Sequence, residues 1–134
     1  MTPTARTLAY LRRLGFLAAK VEVFIPAVRR HRDLFGIADC IGVHPGDRRV
    51  LLVQCTSAAH VSDRLRRIKG RPELPGLLRA GLLVEVWGWK RIGKRWHVRR
   101  VAVCGTDLDA VPLTVLPRRK RRGKHERQGE LFPQ

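Results

Sequence analysis

Two apolar runs separated by a short turn segment constrain the fold of this chain more than any other feature. Residues 37–43 and 50–55 are rich in aliphatic side chains, and the segment between them contains HPGDRR. Proline, glycine and aspartate in a row are typical of a tight turn, so the two runs are predicted to form an antiparallel hairpin.

 The hairpin is therefore the starting point for the rest of the fold.

The register of this hairpin predicts which polar side chains share a face. With the turn centred on its Gly-Asp pair, Asp39 lies opposite Gln54 and Ile37 lies opposite Thr56. Because side chains alternate across a strand, Asp39, Gln54 and Thr56 are predicted on one face and Cys55 on the other. A carboxylate among apolar neighbours is costly to bury without a compensating cation, so we expect a divalent metal or an arginine beside Asp39.

The charge balance predicts a polyanionic partner. The chain has 134 residues, with 28 Lys and Arg against 11 Asp and Glu, and a formal net charge of +17. Such a surface repels itself, and nucleic acid is the polyanion that most commonly relieves the repulsion. No apolar run approaches the roughly 20 residues of a membrane-spanning helix. Arginines interrupt the N-terminal segment and the three cysteines form no CxxC pair, so a cytoplasmic location without membrane association is expected.

Hydrophobic periodicity predicts a single mixed α/β domain with the element order α-β-β-β-α-(α)-β-β. The predicted elements are a helix over 4–14, a strand over 20–25, the two hairpin strands, a helix over 58–69 capped by Ser57, a short helix over 73–80, and strands over 82–89 and 95–103. This domain is assigned to residues 1–116, and a disordered basic tail is predicted over 117–134.

Two binding roles are predicted for the tail. Its basic segment is expected to contact nucleic acid non-specifically. The residues concerned are Arg118, Arg119, Lys120, Arg121 and Arg122. The later segment QGELF resembles the Q-x-x-L-F type of peptide by which bacterial DNA-processing proteins bind the replication sliding clamp. In this interpretation Gln128 fixes the register, and Leu131 and Phe132 are adjacent apolar anchors. The alternative is that both apolar residues fold back on the domain.

The segment RDLFGIADCIGV, followed by RRVLLVQCTSAAHVSDRLRRI, resembles the core of the PD-(D/E)XK nuclease superfamily. The pattern DLFG-x-x-D with a later Q-x-T-S is similar to small phage and bacterial proteins of that superfamily, including Holliday-junction resolvase-like ones. The resemblance covers residues 4–103 and implies a restriction-endonuclease-like core, a central mixed β-sheet flanked by helices. It also implies Mg²⁺- or Mn²⁺-dependent cleavage of DNA, with branched DNA favoured and a homodimer expected.

The resemblance assigns roles to five positions of this chain. Asp39 matches the metal-binding aspartate of the first motif, and Gln54 stands where a second acidic ligand is expected. The backbone carbonyl of Cys55 matches a further metal ligand, and Thr56 stands where the family has a lysine. Glu22 matches the upstream glutamate that several members use.

A cation from the following helix is expected to replace the missing lysine. Arg64, Arg67 and Lys69 are the candidates, and Arg64 is favoured by its spacing along the helix. Further basic residues are expected to hold the DNA backbone. They are Arg29, Arg30, Arg32, Arg67, Lys69, Lys90, Arg91 and Lys94.

Three alternatives compete with this interpretation. The first is a catalytically inactive DNA-binding protein that keeps the nuclease fold, and the second is an RNA-associated protein defined mainly by its charge. In the third, Asp39 is a structural residue that pairs with an arginine such as Arg32. The three tryptophans are expected to pack the last hairpin, although Trp89 is a candidate for stacking on an unpaired base.

Overall fold

The computed structural model describes residues 1–103 and the strand at 110–112. Its helices and strands are α1 (Pro3–Arg13), β1 (Leu17–Lys20), β2 (Val23–Ile25), β3 (Arg30–Arg32), β4 (Cys40–His44), β5 (Arg49–Ser57), α2 (Val61–Lys69), α3 (Leu74–Arg79), β6 (Leu83–Ile92), β7 (Arg95–Val103) and β8 (Ala110–Pro112). A short 3₁₀ turn, Ala58–His60, precedes α2. Both tail predictions, and the boundary between domain and tail, lie outside the described residues.

The described strands form one mixed sheet and a separate hairpin. The sheet order is β1-β4-β5-β6-β7-β8, and β2 pairs only with β3. Strands β5 and β6 run parallel, with α2 and α3 in the connection between them, while the other neighbouring strands run antiparallel. The coarse prediction of a mixed α/β sheet flanked by helices is therefore confirmed.

The predicted hairpin register is confirmed as well. Strand β4 pairs with β5 so that Cys40 faces Val53 and Ile41 faces Leu52. Continuing this register by one residue places Asp39 opposite Gln54, as the turn residues predicted. Asp39 precedes β4, and its backbone N–H donates to the Val53 carbonyl at 2.9 Å.

Helices cover both faces of the sheet, because the side chains of the central strand alternate. Leu51, Val53 and Cys55 pack with Leu11 of α1. On the opposite face, Leu52 packs with the apolar side of α2 and with α3. The buried residues of α2 are Val61, Leu65 and Ile68, which confirms the predicted apolar face of this helix.

The predicted strand over 20–25 is wrong in its extent. The chain leaves the main sheet after Lys20 and re-enters extended structure at Val23, where it pairs with β3 rather than with the sheet. Residues 29–32 were predicted only as a basic segment, yet most of them form β3. The reversal is made by a turn in which Arg29 adopts a left-handed φ of 51°.

The predicted Ser57 cap is also wrong in detail. Ser57 is the last residue of β5 and makes no side-chain capping bond, because the 3₁₀ turn separates it from α2. At the other end, Gly70 closes α2 as predicted, and its N–H donates to the Arg67 carbonyl at 3.2 Å. A side-chain cap is present at the start of α1, where Thr2 Oγ1 accepts from the Ala5 N–H at 3.1 Å.

A buried carboxyl lies in the core on the α1 side. Glu85 of β6 is 1% exposed, and the Trp87 Nε1–H donates to its Oε1 at 2.7 Å. Among the described residues its Oε2 has no hydrogen-bond partner. Burial raises the pKa of Glu85 to about 7, although the Trp87 bond and the charges of Arg100 and Arg49 oppose this rise.

Stability should therefore depend on pH through Glu85. Its pKa is higher in the folded chain than in the unfolded chain, so this carboxyl contributes stability below about pH 4.5, and the contribution is lost as the pH rises through about 7. We expect Glu85→Gln to be stabilised relative to the parent protein at pH 8, with the difference shrinking at lower pH. Urea unfolding of both proteins from pH 5 to pH 8 measures this. A difference independent of pH would contradict the assignment.

Gly88 of β6 allows the start of α2 to approach the sheet. A Cβ at this position would overlap Val61 Cγ2 and would lie 2.9 Å from the Ala58 Cα. We expect Gly88→Ala to lower the free energy of unfolding by about 1–3 kcal/mol through overpacking. The matched control is Gly76→Ala in α3, where a Cβ meets no atom within 4 Å. Urea unfolding should show no loss of stability for the control.

Candidate metal site and basic cleft

The loop between β3 and β4 brings two aspartates face to face. Leu34 and Ala38 form an isolated antiparallel bridge and exchange hydrogen bonds of 2.9 and 3.1 Å. The chain reverses between them through left-handed Phe35 and Gly36 (φ 58° and 68°). The residues that flank this bridge on either side are Asp33 and Asp39, so the reversal places their side chains together.

Glu22 joins this pair from the segment between β1 and β2. The N–H of the preceding residue, Val21, donates to the Asp39 carbonyl at 2.8 Å, which holds the two segments side by side. Carboxylate oxygens of Glu22, Asp33 and Asp39 consequently lie within 4.8 Å of one another. The Glu22 carboxylate also lies 3.4 Å from His31 Nδ1 and 3.9 Å from Lys20 Nζ.

Asp39 is held by neutral donors. Its Oδ2 accepts hydrogen bonds from Gln54 Nε2 and from the Cys55 backbone N–H, the latter at 2.8 Å. Burial and, to a lesser extent, the neighbouring Asp33 carboxyl raise the pKa of Asp39 to about 7, although the hydrogen bonds from Cys55 and Gln54 oppose this rise. A divalent cation beside it would favour the ionised form.

Gln54 connects the acidic cluster to α2. Its Oε1 accepts from Arg67 Nη2 at 2.9 Å, while its Nε2 donates to Asp39. The same Arg67 nitrogen lies 3.8 Å from Asp33 Oδ2. Since a guanidinium can only donate, the orientation of the Gln54 amide follows from these bonds. The Gln54 amide oxygen, which the family resemblance assigns to the metal, is thus already an acceptor for Arg67.

Cys55 and Thr56 lie on opposite faces of β5. The Cys55 side chain packs on the α1 side, where its Sγ lies 3.6 Å from Cys40 Sγ. The backbone N–H of Cys55 points towards Asp39, and in an extended strand the carbonyl of the same residue points to the same side. Thr56 is buried on the face that it shares with Gln54.

Above the acidic cluster lies a cleft of about 800 Å³. Glu22 and Asp33 line it, together with basic side chains from β3, α2 and the segment after α2. These basic residues are Arg30, His31, Arg32, Arg64, Arg67 and Arg71. The predicted backbone-binding residues Arg30, Arg32 and Arg67 and the predicted catalytic cation Arg64 therefore line one cleft.

The remaining predicted basic residues of the described chain lie elsewhere. Arg29 is in the turn before β3, and Lys69 is at the end of α2; neither lines the cleft. Lys90 and Arg91 of β6 and the adjoining Lys94 lie at the tip of the β6–β7 hairpin, also outside the cleft.

Sequence analysis did not identify Asp33 and Arg71 as site residues. The signal for Asp33 was its position in DLFGIAD, where it and Asp39 are symmetric about the Phe-Gly-Ile turn. Arg71 gave no comparable signal, because its place depends on a tertiary contact. Its Nε donates to the Phe35 carbonyl at 3.1 Å.

Trp89 is not available for stacking on a base. It is 7% exposed, and its Nε1–H donates to Thr7 Oγ1 at 2.9 Å. This hydrogen bond joins β6 to α1. The alternative prediction that Trp89 stacks on an unpaired base is therefore wrong.

Comparison of the chain with models of protein families, with curated proteins and with solved structures finds no match. No helix in the described part of the chain is long and apolar enough to cross a membrane.

Two substitutions should move the pKa of Asp39 in opposite directions. Gln54→Leu removes a hydrogen bond that favours the carboxylate, so the pKa should rise above its value of about 7. Asp33→Asn removes a neighbouring negative charge, so the pKa should fall. Carbon-13 NMR titration of the Asp39 carboxyl in metal-free protein measures both changes. Shifts of the same sign in the two variants would contradict this account of the site.

Proposed function

We propose that the protein is a metal-dependent endonuclease that hydrolyses phosphodiester bonds in DNA. The observation that carries the proposal is the convergence of the Glu22, Asp33 and Asp39 carboxylates, the first two of which line a cleft that also contains five arginines. In a chain of net charge +17, such a cluster supports a cation site beside a surface suited to phosphates.

The donor set fits Mg²⁺ or Mn²⁺. Both are hard cations that prefer oxygen ligands, and three carboxylates supply such ligands together with negative charge. Glu22, Asp33 and Asp39 would hold the ion, with the Cys55 carbonyl on the same side of β5. When bound, Mg²⁺ supplies Lewis-acid stabilisation of the charge that develops on the scissile phosphate.

The element order supports this assignment. The family resemblance implies a helix, a three-stranded meander, a second helix and a further strand. Helix α1, strands β1, β4 and β5, helix α2 and strand β6 follow this order, and β6 joins β5 in parallel. We therefore propose a restriction-endonuclease-like core in which the β2–β3 hairpin is an insertion. Asp33 takes over the ligand position that the resemblance gave to Gln54.

The cation that replaces the family's lysine is, in this proposal, Arg67. Thr56 stands at the lysine position and carries no charge, whereas the Arg67 guanidinium lies 3.8 Å from Asp33 Oδ2. It is held there by Gln54 Oε1 and faces the cleft. Arg67 would contact the scissile phosphate, while Arg30, Arg32 and Arg64 would hold the neighbouring backbone.

The residues at positions 54 and 56 favour a second candidate, a DNA-binding protein that keeps the fold but does not hydrolyse DNA. An amide at position 54 and a hydroxyl at position 56 replace the charged groups of the nuclease motif. In that case the cleft would bind DNA, and its affinity would not depend on the metal.

The decisive test is cleavage of labelled four-way junction, flap, single-stranded and linear duplex DNA with Mg²⁺ or Mn²⁺. The branched substrates test the preference that the resemblance implies. Loss of a group that only supports a metal ligand typically lowers metal affinity or activity about 10–100-fold. Because Asp33 and Asp39 are proposed as ligands themselves, Asp33→Asn and Asp39→Asn should lower the cleavage rate by at least about 100-fold. Asp63→Asn, at an exposed position of α2, is the matched control and should cleave normally.

Binding of the same DNA in EDTA, compared with cleavage in the presence of metal, separates the two candidates. Metal-dependent cutting by the parent protein that is lost in both cluster variants would support the nuclease. Binding without cutting under every metal condition would overturn the nuclease proposal and leave the DNA-binding protein.

A further inference from the structure

A second groove, of about 420 Å³, lies between α1 and β7. Its volume falls within the range of about 300–1,000 Å³ that is typical of small-ligand sites. Helix α1 packs on the opposite face of the sheet from α2. The groove is therefore separate from the cleft that contains the acidic cluster.

The groove combines aromatic and basic side chains. Those that matter here are Arg6, Tyr10, Arg13, Trp96 and His97. None of the described residues that line the groove is acidic. A ligand that suits this surface is planar and carries negative charge, as a nucleotide does.

Trp96 differs from the other two tryptophans of the chain. Trp87 and Trp89 are buried, and their Nε1–H groups are bonded to Glu85 and Thr7. Trp96 is 43% exposed, which leaves much of an indole ring in contact with water. The prediction that all three tryptophans pack the last hairpin thus fails for Trp96, and its exposure needs another explanation.

The arginines of α1 supply the charge. The Arg6 guanidinium carbon lies 3.5 Å from the centroid of the Trp96 ring, so a flat cation already stacks on the indole. Arg13 is two helical turns further along α1 and lies 5.8 Å from the Tyr10 ring centroid. Residues seven apart share a helix face, so both guanidinium groups border the same groove.

We propose that this groove binds an unpaired nucleotide of single-stranded DNA. The base takes the place of the Arg6 guanidinium on the Trp96 ring, and the displaced Arg6 and Arg13 contact the adjoining phosphates. Stacking on an exposed ring flanked by cations is the general mode by which proteins hold single strands without reading their sequence. The inference rests on the proposed function for the identity of the partner as DNA, but it requires neither the metal nor hydrolysis.

Tryptophan fluorescence provides the test, because Trp96 is the exposed tryptophan of the three. The full-length protein is titrated with oligo(dT), with a duplex of equal length and with an abasic oligomer of equal length, all in EDTA. The titrations are run at high salt, because salt weakens the purely electrostatic contacts of other basic segments with DNA. We expect quenching by oligo(dT) and not by the duplex or the abasic oligomer.

Three variants complete the experiment. Stacking of one base contributes about 1–3 kcal/mol, so Trp96→Ala should weaken oligo(dT) binding at least about fivefold. Trp96→Phe retains a stacking ring and should retain binding, measured by anisotropy, while losing the quenching. Arg79→Ala removes one charge from an exposed position of α3 and should change neither measurement.

Equal quenching by the abasic oligomer, or unchanged oligo(dT) affinity in Trp96→Ala, would overturn the inference. Because no divalent metal is present, either result is independent of whether the acidic cluster supports cleavage. A protein that cuts DNA but shows no base-dependent quenching would refute only the groove. A protein that shows the quenching but never cuts DNA would refute only the nuclease.

Discussion

The hydrogen bonds of buried Asp39 are the interactions on which the acidic cluster and its connection to α2 depend. Its Oδ2 accepts from Gln54 and from the Cys55 backbone, and Gln54 in turn accepts from Arg67 of α2. The backbone of Asp39 also bonds to Val21 and to Val53. One residue thereby joins the end of β1, the start of β4, the end of β5 and α2. Burying a carboxylate is unfavourable, and its retention at this junction is explained if a cation completes the site.

The hairpin was predictable because its constraints are local. Pro45, Gly46 and Asp47 specify the turn, and the turn sets the register that places Asp39 opposite Gln54. The third carboxylate was not predictable in the same way. Asp33 reaches Asp39 only because Phe35 and Gly36 adopt left-handed conformations, and a phenylalanine carries no sequence signal for such a reversal.

The β2–β3 hairpin was missed for a related reason. Its strands contain three residues each and pair only with each other, so the alternation typical of a longer strand is absent. It nevertheless supplies Arg30, His31 and Arg32 to the cleft. The sequence therefore shows that these residues are basic, whereas their direction towards the acidic cluster depends on the β2–β3 pairing and on the bond between Val21 and Asp39.

In the proposed site, Glu22, Asp33 and Asp39 together bind one divalent cation. A crystal structure of the protein grown with Mn²⁺, with an anomalous difference map, tests this claim directly. We expect one peak bound by oxygens of all three carboxylates, with Gln54 Oε1 still bonded to Arg67. No peak at the cluster, or an ion held by Asp39 and the Gln54 oxygen with Arg67 displaced, would contradict it.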